Sequence, residues 1–139
     1  MDPLFLAPIV LASTVAASAV GLDALRWESR VLLIVSSPEG AAEAERQKEL
    51  LRGRERDLAE RRMTVIAVQG DDVRFLAGNT VPGLSAADLR AKAAIGDASF
   101  AAVLTGLDGG VKWVAKSPTS LDEINAVVDA MPMRRSGLD

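Results

Sequence analysis

The chain has 139 residues, which suits a single domain, and carries a net charge of −3. Hydrophobic residues make up 49% and charged residues 25%, a balance that argues against disorder and offers no basic surplus for nucleic acid. It holds no cysteine and no histidine, which removes thiolate attack, disulfides and imidazole acid–base or metal chemistry.

Residues 3–22 contain no charge. The apolar core from Leu4 to Ala12 gives way to Ala16, Ala17, Ser18 and Ala19. Residues 1–19 therefore read as a secretory signal with an Ala-x-Ala cleavage site, although the leading segment has Asp2 and no Lys or Arg. An uncleaved anchor over residues 3–22 is the alternative, because the run approaches the ~20 residues of one membrane span; Pro8 and the small residues weaken it. A merely buried helix is the third reading. Residues 20–139 are then the exported domain, periplasmic or secreted, and in contact with a membrane only if the first segment stays uncleaved.

Arg30 to Ser36 is an almost continuous apolar run, the mark of a strand buried on both faces. A turn at Ser37-Pro38-Glu39-Gly40 leads into a helix predicted over Ala41 to Arg62. Ala44, Leu51 and Leu58 recur at heptad spacing with Gln47 and Leu50 on nearly the same side, and Gly53 is the place for a break or bend. Met63 to Val68 is the second strand. Gln69 to Leu84 reads as a loop, rich in Gly, Asn and Pro. Ser85 caps a helix over Ala86 to Ile95. Phe100 to Thr105 and Val111 to Ala115 form a hairpin around Asp108-Gly109-Gly110. Ser120-Leu121-Asp122-Glu123 is a capping box for the last helix, which Pro132 ends.

This order, β-α-β-α-β-β-α, predicts an α/β thioredoxin-like fold: a four-stranded mixed sheet with helices on both faces. In thioredoxin-like enzymes the reactive cysteine follows the first strand, where a helix N-terminus lowers its pKa. Here that segment is Ser37-Pro38-Glu39-Gly40, and the segment before the third strand, Gly96-Asp97-Ala98-Ser99, lacks the usual proline. The absence of cysteine excludes thiol oxidoreductase and peroxidase chemistry of the ordinary kind.

Leu25-Arg26-Trp27-Glu28-Ser29-Arg30-Val31-Leu32-Leu33, the Gln47 region, the Gly106–Lys112 hairpin and Asp129-Ala130-Met131-Pro132-Met133-Arg134-Arg135 carry a family resemblance. Over about residues 22–135 the chain resembles the domain of unknown function 4174 family, although Leu107 stands where lysine is common. The resemblance implies a fold similar to peroxiredoxins and thioredoxins without the catalytic cysteine. It also implies small exported bacterial proteins, or modules of vertebrate secreted proteins with sushi repeats or matrix association. No reaction is established for that family, so it supplies no catalytic residues.

Strand directions add a placement. If the first strand runs upward, the third runs down, the fourth up and the last helix down. Arg26, Trp27, Arg30, Lys112, Arg134 and Arg135 then gather at the lower end, opposite the usual thioredoxin site, with Asp108 and Asp129. One reading is an ion-pair clasp, in which Trp27 covers apolar surface and Asp108 and Asp129 pair with Arg30 and Lys112. The other is a ligand site in which Arg, Lys and an aromatic ring hold a carboxylate, sulfate or phosphate. The functional expectation is an exported, non-catalytic domain that binds a protein partner or an anionic small molecule or glycan, with no metal, cofactor or nucleic acid. An enzyme using Arg or Lys with Asp or Glu, and a structural or dimerising module, are the alternatives.

Overall fold

A computed structural model describes residues 21–135 of the chain; the expected signal segment, residues 1–19, lies outside them, as do the side chains of Met133 and Arg135. The elements are a 3-10 turn at Leu22–Leu25, β1 (Arg30–Ser36), α1 (Ala41–Leu51), α2 (Glu55–Glu60), β2 (Met63–Gln69), β3 (Asp72–Ala77), α3 (Ala86–Ala93), β4 (Phe100–Thr105), β5 (Val111–Ala115), α4 (Leu121–Asp129) and α5 (Pro132–Arg135). A second 3-10 turn, Pro38–Gly40, leads into α1.

The sheet has five strands, not the four expected, in the order β3-β2-β1-β4-β5. Asp72–Ala77, inside the expected loop, folds back antiparallel on β2. Exposed and half-buried residues alternate along it, as on an edge strand with one covered face, although Leu76 puts an apolar side chain on the exposed side. β1 and β2 are parallel, and β4 runs antiparallel to β1. The helix expected over residues 41–62 is two helices, because the chain leaves helical geometry at Arg52 and takes a left-handed turn at Gly53, φ 77°.

Period-two alternation sorts the central strands onto two cores. Leu32, Ile34, Val65 and Leu104 face one side, with Leu51, Leu58, Leu121, Ile124 and Val128 of α1, α2 and α4. Val31, Leu33, Ile66 and Val103 face the other, with Leu25 and Leu89. All seven residues of β1 are buried, which explains why it reads as an unbroken apolar run.

One buried side chain ties the first core together. Gln47 of α1 is fully buried; its Nε2 donates to the Thr119 carbonyl and its Oε1 accepts from the Thr119 amide, each at 2.9 Å. The amide thus acts like a short piece of strand, fixing the approach to α4. Ser120 then caps α4 by accepting from the Glu123 amide.

Candidate functional site

The end of the sheet that would carry thiol chemistry has no room for a side chain at Gly40. A Cβ at Gly40 would lie 1.9 Å from the Ser99 carbonyl oxygen, so the first helical turn rests directly on the chain entering β4. Ser37 Oγ donates to Glu39 Oε1 at 2.7 Å, and this bond holds the Glu39 carboxyl below its ordinary pKa. A carboxylate therefore lies beside Ser37, in the turn after β1 where thioredoxin-like enzymes carry the reactive cysteine.

The opposite end is open. Trp27, Arg30, Gly106 and Leu107 line a groove of about 290 Å³ with Asp108, Lys112, Met131 and Pro132. It contains four of the residues expected there: Trp27, Arg30, Asp108 and Lys112. Leu107 from the hairpin, Met131 from the link between α4 and α5, and Pro132 at the start of α5 supply apolar walls.

Trp27 is the unusual member. Its backbone has φ 67°, a left-handed conformation that costs a bulky residue roughly 1–3 kcal/mol. Three contacts hold it there. Its amide donates to the Leu107 carbonyl at 2.7 Å, its carbonyl accepts from Arg62 Nη2 at 2.8 Å, and Arg62 Nε reaches the Glu28 carbonyl at 3.3 Å. Arg62 is itself left-handed, φ 53°, and its carbonyl accepts from the Arg30 amide. In this conformation Trp27 lines the groove and is 53% exposed.

Arg30 forms the floor. At 1% exposure it is the largest fully buried side chain among the described residues; Nη1 donates to the Arg61 carbonyl at 2.9 Å and Nε approaches Met131 Sδ at 3.4 Å. On the rim, Asp108 Oδ1 accepts from the Gly110 amide at 2.9 Å and Oδ2 from Lys112 Nζ at 3.0 Å. The Gly110 amide first, and Lys112 second, hold the Asp108 carboxyl below its ordinary pKa. Lys112 uses one of its three N–H donors on Asp108, which leaves ammonium hydrogens for an incoming anion.

The remaining expected residues separate from the groove. Asp129 does not pair with Arg30 or Lys112. It accepts from Arg61 Nε and Nη2 at 3.0 and 3.1 Å, and Arg134 Nε lies 3.5 Å away. The Arg61 fork is the main reason that the Asp129 carboxyl sits below its ordinary pKa. Arg134 also reaches Glu60, its Nη1 donating to that carbonyl at 3.3 Å. These four charges are a true clasp, joining α2 to the end of α4 and to α5. Arg26 pairs with Asp23 at 3.4 Å and lines a separate, smaller pocket with Leu25 and Gly109. Arg135 ends α5, and its side chain lies outside the described residues. The expected cluster thus divides into a groove and a clasp. Arg61 and Glu60, which decide the division, gave no signal beyond lying in a mixed-charge helix.

A mixed sheet with β1 at its centre, covered on both faces and closed by a β-hairpin and helix, defines a thioredoxin-fold protein. A solved thioredoxin-fold protein from Helicobacter pylori is similar over 73% of this chain and 68% of its own, with a TM-score of 0.50 and 15% identity, a likeness of fold. The chain belongs to the family described as "Domain of unknown function (DUF4174)", matched over residues 21–137. No curated protein matches it significantly.

Proposed function

We propose that this domain is an exported, non-catalytic binding module that takes an anionic ligand or partner in the Trp27 groove. The observation that carries this is an exposed indole held in a strained backbone beside an ammonium group. Strain of that size persists where surrounding contacts impose it, and it clusters at binding sites. Indole and apolar walls suit a flat or aliphatic body; Lys112 suits a carboxylate, sulfate or phosphate. Export is supported by the uncharged residues 3–22 and the small residues before Ala19.

The catalytic alternative is weaker on this geometry. A general acid needs a carboxyl pushed upward, and the groove's Asp108 is pushed downward. The chain has two tryptophans, so a Trp113→Phe variant leaves Trp27 as the reporter. Its emission should respond, with saturation, to at least one of sulfate, phosphate, benzoate or a sulfated glycan, and Lys112→Met should abolish the response. Silence from Trp27 toward all of these at millimolar concentration would count against an anion site.

A further inference from the structure

The groove lies beside an open edge of the sheet. Among the described residues no strand pairs with the outer side of β5. Which of its peptide groups face outward follows from the pairing. Arg30 turns its amide toward the β2 side, to Arg62, so Val31, Leu33 and Val35 turn theirs toward β4. Carried through the pairs Leu33–Val103 and Val103–Val114, the alternation aims Trp113 and Ala115 at β4 and Val114 away from it. Val114 and Val111 are each 43% exposed. The stretch from Val111 to Lys116 holds two lysines and no acid, on a chain whose net charge is −3. The other edge, β3, carries both Asp72 and Arg74 and does not border the groove.

We propose that an extended, acidic segment of a partner protein adds to β5 as a sixth strand and seats one apolar side chain in the Trp27 groove. The proposal rests on the groove being a binding site. Main-chain hydrogen bonds to Val114 supply affinity, and Lys112 and Lys116 select acidic residues. A second copy of this chain fits less well. A β5–β5 pair centred on Val114 sets Lys112 against the second copy's Lys116, and like charges directly opposite are destabilising. Lysine on an edge strand is a common guard against self-pairing.

The test uses fluorescein-labelled decapeptides that alternate Glu with Val or Phe, with Lys replacing Glu in the control set. Val114→Pro removes an outward N–H and no ladder bond, so β5 should survive it, as edge strands tolerate proline there. The acidic peptides should bind the wild-type protein, slow amide exchange at Val114 by about tenfold or more, and bind Val114→Pro about tenfold more weakly. Should that variant misfold, Lys116→Glu serves instead, and should shift preference from the acidic to the basic peptides. Trp27 quenching with no protection at Val114 and no effect of either variant would leave the groove reading intact and overturn strand addition. Small anions quenching Trp27 while no peptide binds would also overturn it. Concentration-dependent sedimentation abolished by Val114→Pro would assign the edge to a second copy. No response to any peptide or anion would remove both readings.

Discussion

Replacing Gln47 by leucine should be among the most damaging single changes in this domain, although it exchanges one buried side chain for another of similar volume. The wild-type amide satisfies both the N–H and the C=O of Thr119 at 2.9 Å inside the first core. Leucine leaves both backbone groups buried without those partners, at ~1–3 kcal/mol each. Added apolar contact returns part of that, so the expected loss is ~2–4 kcal/mol, a large share of the ~5–15 kcal/mol typical of a whole domain. In urea melts followed by far-UV circular dichroism, the midpoint should fall by ~1–2 M at unchanged slope. The Thr119 amide should exchange far faster. Gln47→Glu supplies a second signature. Its carboxylate can accept from the Thr119 amide but can only oppose the carbonyl, and burial raises its pKa. The destabilisation of Gln47→Glu relative to wild type should therefore shrink between about pH 8 and pH 5, as the acid regains a donor. A loss under ~1 kcal/mol in Gln47→Leu, with Thr119 exchange unchanged, would refute the clamp.

Two further outcomes follow from the site. Trp27→Gly should be more stable than Trp27→Ala by ~1–2 kcal/mol in the same urea assay, because only glycine relieves the positive φ; equal stabilities would mean the contacts, and not the conformation, set the energy. Asp108 and Asp129 both have folded-state pKa values below the ordinary one, so each stabilises the fold above about pH 4, and that contribution disappears as pH falls through the depressed folded value. Asp129→Asn should therefore lower stability at neutral pH and converge on wild type in acid. Asp129 is nearly half exposed, so the effect should stay within ~1 kcal/mol and shrink in high salt; a constant gap across pH would point to lost packing.

The strands that were legible in sequence are those with both faces buried or a tight turn beside them. β1, β2 and β4 announce themselves as apolar runs, and β5 through Asp108-Gly109-Gly110. β3 is hidden in the sequence: Val73 and Phe75 alternate with Asp72 and Arg74, but Leu76 breaks the pattern, and Gly70, Gly78, Asn79 and Pro82 around it are turn residues. Strand direction alone brought Trp27, Arg30, Asp108 and Lys112 to one end. It could not choose their partners. The break at Gly53 sets where α2 lies, and α2 leads the chain to the Arg61 that takes Asp129. Nor did the sequence disclose that Arg30 is a floor and not a rim, since an arginine opening an apolar strand is ordinarily read as its solvated end.

The tight packing at Gly40 has a consequence for anyone who would engineer redox activity into this scaffold. A cysteine placed at Ser37 would point at the Glu39 carboxylate, which opposes ionisation of the thiol and so slows its attack. Removing that carboxylate would not create a resolving partner at Gly40, where any side chain collides with Ser99. A working dithiol would require the turn after β1 and the chain entering β4 to be redesigned together.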